Sequence, residues 1–505
     1  MYESKISYRE RVSFMKKTLA FSLVLCLLVS LTACAANPNS DIVINKNDGS
    51  FDANLVHSAT EDKDPNATQN LVYTDDFYST DGSVQYVFNI NNTIADCNMP
   101  VVEVIPHFLT GADAKRVATV LFGDAVFYEQ EPLFAPQYSQ AQIMEKVSRW
   151  SEYTNTDSII ALYGDNLEDP AAIANTVKRF VQNYNELYET APKENPHTVC
   201  DWTMKKDSYY YESADDLAGQ DLSRDNDAIM AVTQIDGVEY TFSVSSRNQD
   251  DYKINTITVS LGSGISPENI DIRIYQASLC RTDKPSDEQM TNISKKAYQM
   301  LEEMQLGDWT IESCTVKTTY YGNIPEYIVC VHAVPVFNGV EVIRRPQIGN
   351  LKSETAYASN YYLTDAEFEF SVNGDLISFE MYSPVDVSSV VNENVAVMDA
   401  DSLLERAKTN LELTDYYSYV SPEWIESFQE EILCVVNVTE IHYNLTRVKV
   451  PNTDDSYYYV PAIALYGTVE YHGKESGIVL YSDYEPYTLL ILNAVDGSVI
   501  ETGNE

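Results

Sequence analysis

Glu367-Phe368-Glu369-Phe370-Ser371-Val372-Asn373-Gly374 is the stretch whose reading decides the fold, a β-prone run ending in an Asn-Gly pair. Asn and Gly accept the positive φ angles of tight hairpin turns, so the pair marks a strand turning back on itself. The same signal recurs between β-prone flanks at Asp236-Gly237, Asn338-Gly339 and Asp496-Gly497, and Asp-Gly pairs also occur at Asp48-Gly49 and Asp81-Gly82. Neighbouring strands in the second half of the chain are therefore expected to be antiparallel.

Outward from that turn, a pattern occurs twice. Pro285-Ser286-Asp287-Glu288-Gln289 is a helix start with a capping box from Ser286 to Gln289, and Ile293, Ala297, Met300, Leu301 and Met304 form one apolar face. Strands are expected at 311–320, 327–337 and 366–379. The pattern restarts with a capping box from Ser402 to Glu405 and an apolar face of Leu403, Leu404, Ala407 and Leu411. Strands then follow at 432–445, 457–471 and 487–500. This reads as an internal duplication of one helix on an antiparallel sheet.

Upstream, strands are expected at 84–90 and 101–105, helices at 111–121, 139–153 and 169–188, and a β-rich stretch at 228–261. The expected class is α+β, a mixed N-terminal α/β region followed by two helix-on-antiparallel-sheet units. The corresponding division is a signal peptide over 1–33, a flexible tether over 34–70, an N-terminal α+β domain over 71–284, unit 1 over 285–390 and unit 2 over 391–505. The tether reading rests on Asn, Asp, Ala and Ser with Pro38 and Pro65 and little periodicity.

The N-terminal assignment rests on Lys16-Lys17, an apolar run from Thr18 to Val29, and Leu31-Thr32-Ala33-Cys34. About a dozen apolar residues is short of the ~20 that a spanning helix needs. The order of charge, apolar run and small residues before a cysteine resembles a bacterial lipoprotein signal with its lipobox. That resemblance implies cleavage before Cys34, a lipid on the Cys34 thiol, and residence on the extracytoplasmic face of the cell membrane of a Gram-positive bacterium. Met1 and Met15 both stand as starts for such a signal.

Tyr459-Val460-Pro461-Ala462, with the closing run from Leu490 through Asp496-Gly497 to Ile500, resembles PepSY-type domains and related extracytoplasmic regulators of sensor kinases. The resemblance covers residues 285–505 at most, and its motifs are structural. The whole chain is similar to an uncharacterised lipoprotein family of clostridia containing a domain of unknown function. Both resemblances imply non-enzymatic sensing, inhibition or scaffolding at the cell surface, and neither supplies catalytic residues.

Composition narrows the partners. The formal net charge is −43, and removing residues 1–33 takes away five basic and two acidic residues, leaving 28 against 74. Such a surface repels nucleic acid and anionic lipid headgroups and attracts cations. Expected partners are the membrane, through the N-terminal lipid, and a surface or membrane protein, with no nucleic acid. Beyond Cys34 the cysteines are Cys97, Cys200, Cys280, Cys314, Cys330 and Cys434. Their irregular spacing is unlike a disulfide scaffold, although Cys314 and Cys330 flank a turn and would meet across a hairpin; buried free thiols are the alternative.

No catalytic motif emerges. HExxH, GxSxG and phosphate-binding glycine loops are absent from the sequence, and Ser294-Lys295 and Ser313-Cys314-Thr315-Val316-Lys317 have the wrong spacing for a Ser-x-x-Lys nucleophile. The histidines His57, His107, His197, His332, His442 and His472 are scattered, and no CxxC pair occurs. The Asn45–Gly49 stretch approaches a calcium loop but places its glycine one position early. No catalytic residue, cofactor or metal ligand is therefore assigned. Tyrosine is abundant, with 37 copies against 16 Phe and 4 Trp. Tyrosine favours pleated surfaces and also serves recognition, and Tyr457, Tyr458 and Tyr459 are the candidate binding face. The expected function is a lipid-anchored, non-enzymatic binding or regulatory module. The alternatives are a transporter's solute-binding lipoprotein, which needs two lobes around a cleft, and a cell-wall hydrolase or peptidase, which needs an acidic cleft with paired carboxylates.

Overall fold

The computed structural model describes residues 51–500 except 52, 54–55, 61–66, 130–137, 166, 168, 207–224, 236–237, 250–251, 262–269, 344–363, 413–429, 451–452, 454–455 and 483–485. The chain begins with three strands, β1 (Thr68–Tyr78), β2 (Val84–Ala95) and β3 (Met99–Pro106). Helix α1 (Gly111–Phe122), strand β4 (Tyr128–Glu129) and helices α2 (Gln140–Ser151), α3 (Thr156–Tyr163) and α4 (Pro170–Tyr188) follow. Next come β5 (Lys205–Lys206), β6 (Asp225–Ile235), β7 (Val238–Gln249), β8 (Tyr252–Leu261), α5 (Ile270–Cys280) and α6 (Asp287–Met304). Strands β9 (Trp309–Tyr321), β10 (Ile324–Phe337), β11 (Val340–Glu341), β12 (Asp365–Phe370), β13 (Leu376–Tyr382) and β14 (Val385–Val395) continue the chain. It closes with α7 (Ala400–Leu411), β15 (Ile432–Lys449), β16 (Tyr457–Gly473), β17 (Val479–Ser482) and β18 (Tyr487–Asn493).

Two sheets result. Sheet one runs β1-β2-β15-β16-β3-β14, with β17 and β18 also on β16; among the described residues its one parallel pair is β2 with β15. Sheet two runs β9-β10-β12-β13-β8-β7-β6, with β4 and β5 along β6 and β11 on β10, all antiparallel. The chain thus builds three strands of sheet one, makes all of sheet two, and returns to finish sheet one. One crossing lies between β13 and β14, where Ser383 takes a φ of 46° and its N–H donates to the Asn255 carbonyl at 2.7 Å.

This overturns the expected α+β class with two helix-on-antiparallel-sheet units. Strands make up 47% and helices 26% of the described residues, and the strands form the two large sheets of a β-sandwich or half-barrel. The local signals were sound: the Asn373-Gly374 hairpin forms with Gly374 at φ 86°, and Ser286 caps α6 with Gln289 returning the bond. Turn chemistry, however, reports hairpins and not the distant pairings that merge them. β13 continues onto β8, and β16 takes β3 on the edge opposite β15. The stretch 71–284 accordingly supplies β1–β3 to sheet one and β4–β8 to sheet two. Helix α7 is capped by Asp399, whose carboxylate accepts from the Ser402 N–H at 2.9 Å, so Ser402 lies inside the helix instead of capping it.

Each sheet has an apolar core. Over sheet two, α1 and α6 bury Ala114, Val117, Ala297 and Leu301 against Val331, Phe368, Phe379, Val259 and Phe242. Over sheet one, α7 buries Leu403, Leu404 and Ala407 against Phe88, Val436 and Leu465. The opposite face of sheet one is covered too, by Phe51, Val495 and Ile500 packed on Val460, Ala462 and Ala464. Part of the stretch read as a tether is therefore docked: Phe51 is buried, and Ala59 donates to the Asn394 carbonyl at 2.7 Å. The sheets meet where Phe337 stacks on Tyr459 at 4.6 Å and Ile343 donates to the Leu445 carbonyl at 2.8 Å.

A helical cap of α2 to α5 packs through Trp150, Ile159, Leu162, Val177 and Ala277. It is fixed to sheet two by charge. Glu326, 3% exposed at the start of β10, takes both Nη atoms of Arg273 (2.8 and 2.5 Å) and the Nε of Arg281 (2.7 Å). The same two arginines donate to the carbonyls of Ala161 and Leu162 at the end of α3, and Arg273 lies 3.5 Å over the Tyr321 ring. Gly164, at φ 86°, permits this dock, because a Cβ there would stand 2.5 Å from the backbone of Tyr321 and Gly322.

Removing one partner from such a buried pair leaves uncompensated charge, at a cost of about 3–5 kcal/mol. Glu326→Gln is expected to lower the urea unfolding free energy by that order; a loss under ~1 kcal/mol would show that the clamp does not hold the cap. Burial, aided by Glu326, also pushes the Cys280 thiol up to about 12 from an ordinary value near 9. Below pH 9 both states keep this thiol protonated, so its contribution is fully present there. As pH rises from 9 towards 12 the unfolded chain loses the proton first, and stability falls. Cys280→Ser is expected to flatten part of that alkaline decline in unfolding midpoint, and an unchanged slope would contradict it.

Candidate functional site

The outer face of sheet two carries the densest set of ligating side chains among the described residues. In β10, Val329, Val331 and Ala333 face the core, so alternation turns Cys330 and His332 outward. In β12, Ala366, Phe368 and Phe370 face the core, and Glu367 and Glu369 turn outward. The antiparallel register then sets Cys330 opposite Glu369 and His332 opposite Glu367. Cross-strand partners stand about 4.5–5.5 Å apart at Cβ, so the four side chains share one patch. The Cys330 Sγ and one carboxylate oxygen from each of Glu367 and Glu369 lie within 4.8 Å of one another.

Neighbouring strands complete the surroundings. Lys317 of β9 donates from Nζ to Glu369 Oε1 at 3.0 Å, and Ser378 of β13 donates to Glu369 Oε2 at 2.9 Å. His332 Nδ1 stands 3.6 Å from Glu367 Oε2. Glu380 lies opposite Glu367 and accepts from the Tyr382 hydroxyl at 2.7 Å. Cys330 is 6% exposed, whereas the Lys317 side chain is 58% exposed. Burial pushes the Cys330 thiol up to about 12, and the negative charges of Glu369 and Glu367 add to the effect. The Glu369 carboxylate in turn raises the Lys317 ammonium. A thiol held neutral is a poor nucleophile, and it must give up its proton before it can bind a metal ion.

The residues singled out from sequence fall elsewhere. Cys34 lies outside the described residues. Tyr457 and Tyr459 are buried in the sheet-one core and therefore are not a face open to a partner. The Arg447 guanidinium covers Tyr457 at 3.7 Å, and Tyr459 donates to Thr364 Oγ1 at 2.9 Å. Tyr458 points to the opposite side, half-buried and edge-on to Phe51 at 5.8 Å. Alternation forbids three consecutive residues from sharing a face, and the covered flanks of β16 bury both. The missed residues carried a readable signal: Cys330-Val331-His332 and Glu367-Phe368-Glu369 are i, i+2 pairs on strands, hence same-face pairs.

Elsewhere, an open depression of about 730 Å³ lies at the end of α6, lined by Tyr298, Glu302, Asp308 and Trp309. His107 sits between Asp386 (2.9 Å) and Asp113 (3.6 Å) where β3 meets β14. Exposed Ile105, Val387, Val390 and Val391 mark the same pair of strands.

The register also decides the cysteine question. Cys314 pairs with Val331 and Cys330 with Thr315, so the two cysteines face opposite sides of the sheet, and all six described cysteines are free thiols. Mild oxidation of the native protein is expected to form no Cys314–Cys330 bridge in non-reducing peptide maps; recovery of that bridge would refute the register.

No protein-family model matches the chain, and no curated protein matches it. Among solved structures, the chain is similar to the crystal structure of an uncharacterised protein from Eubacterium rectale ATCC 33656. The two share 13% identity over 54% of this chain and 75% of that one, with a TM-score of 0.27. That likeness is too slight to carry a fold or a function across.

Proposed function

We propose that the protein is a lipid-anchored lipoprotein on the extracytoplasmic face of the cell membrane, acting there as a non-enzymatic binding or regulatory module. The observation that carries this reading is the ordered series Lys16-Lys17, the apolar run, and Leu31-Thr32-Ala33-Cys34. Cys34 is the lipidated residue, and the lipid is the contact with the membrane. Among the described residues no helix is long and apolar enough to cross a membrane. The binding reading draws support from polar and ligating side chains presented on paired strands, a rigid platform for recognition. The net charge of −43 favours cationic ligands and protein partners over nucleic acid.

The test uses cells making the full chain. In wild type, metabolic labelling with an alkynyl fatty acid is expected to tag the protein, which sediments with membranes. Cys34→Ala is expected to bring the label to background and shift the protein out of the membrane fraction. Persistent labelling or a mature N-terminus other than residue 34 would overturn the anchoring. A photo-crosslinker at exposed Thr315, opposite Cys330 on the outer face of sheet two, tests the module: a discrete adduct with a surface protein is expected, and its absence at saturating illumination would count against binding at that face.

A further inference from the structure

From the geometry of the outer face of sheet two, we infer that Cys330, Glu367 and Glu369 form a binding site for a divalent transition metal ion of the zinc class. This inference is independent of the membrane anchor. Three observations converge. The three ligating atoms already lie within 4.8 Å of one another, delivered by two paired strands rather than by a loop. The Cys330 side chain is 94% buried, its sulfur faces the two carboxylates, and among the described residues it makes no hydrogen bond and no disulfide. The ligand set mixes a sulfur with carboxylates.

Distances allow it. A cation at the centre of such a triangle stands at most about 2.8 Å from each atom, against ~2.3 Å for zinc–sulfur and ~2.0 Å for zinc–oxygen bonds. The glutamates close that gap by turning about their side-chain torsions, since both are partly exposed while Cys330 is held by the core. Ligand softness selects the ion. Calcium and magnesium take oxygen ligands in larger number, whereas a thiolate with carboxylates in a three-ligand set suits Zn²⁺ with water in the fourth position. His332 Nδ1 stands 3.6 Å from the Glu367 carboxylate, beyond hydrogen-bond reach, and is not counted among the ligands.

Lys317 explains how the site stands without metal. Its ammonium neutralises Glu369 at 3.0 Å on a largely exposed side chain, so it can swing into solvent when a metal arrives. On binding, the Cys330 S–H proton passes to water as the sulfur–metal bond forms, and the Lys317–Glu369 ion pair is exchanged for the metal–carboxylate bond.

The experiment uses the purified mature chain, stripped with chelator and reduced, titrated with Zn²⁺ against a fluorescent zinc chelator and separately with Co²⁺. Wild type is expected to bind one equivalent and to show the near-ultraviolet sulfur-to-cobalt charge-transfer band. Cys330→Ser is expected to abolish that band and weaken zinc by about tenfold or more, and Glu367→Gln with Glu369→Gln to weaken it similarly. Cys314→Ser, on the other face of the same hairpin, is expected to bind as wild type. Lys317→Gln is expected to tighten binding, because it removes the competing cation. Should Cys330→Ser fail to fold by circular dichroism, the double glutamine variant decides, since it retains the thiol. No cobalt–sulfur band in wild type, or a band that survives in folded Cys330→Ser, would overturn the site.

Discussion

Strand β16 is the constraint on which sheet one depends. It pairs with β15 along one edge over its whole length, and along the other with β3, then β18, then β17. A strand so placed satisfies its backbone from both sides and has both faces covered. Its burial from Tyr459 to Leu465 is nearly unbroken, the pattern of a fully covered strand and not of a half-wet one. Pro461 would be out of place in most central strands because it has no N–H to donate. Here it falls between the last residue paired with β3, Tyr459, and the first paired with β18, Ala462. Its carbonyl accepts from Ala494 at 2.9 Å, so the missing donor sits at the junction where the neighbour changes.

Local chemistry was largely legible in the sequence, and sheet membership was not. The Asn373-Gly374 hairpin, the Ser286 cap and the helix at 169–188 follow from residue types acting within a few positions of one another. Which hairpins share a sheet depends on pairings such as Val84 with Cys434 or Phe379 with Val259, and no local period encodes these. The error over Tyr457 to Tyr459 has the same root. Tyrosine serves cores and surfaces alike, and the choice was made by the strands on either side.

The outer face of sheet two was legible in principle. Cys330, His332, Glu367 and Glu369 are unremarkable singly, yet each pair brackets a buried residue, Val331 and Phe368. Period-two alternation alone places each pair on one face. Their convergence required the register of β10 on β12, which the turn signals do not specify. Rigid strands under apolar packing hold the cysteine in place, while the glutamates retain freedom at the solvent edge. This combines a fixed soft ligand with adjustable hard ones.

The nesting of sheet two between the two portions of sheet one sets a timetable for assembly. Sheet two draws on one continuous span, so its core can close once β13 has appeared. Strands β1 to β3 precede it, but their partners β14, β15 and β16 come last in the chain. Until then β2 presents an unpaired edge to its surroundings, the state in which strands recruit foreign neighbours. A chain delivered from its N-terminus must therefore keep its first strands waiting beside an already folded middle. Acidic self-repulsion across the unfinished molecule would help keep separate copies apart during that interval.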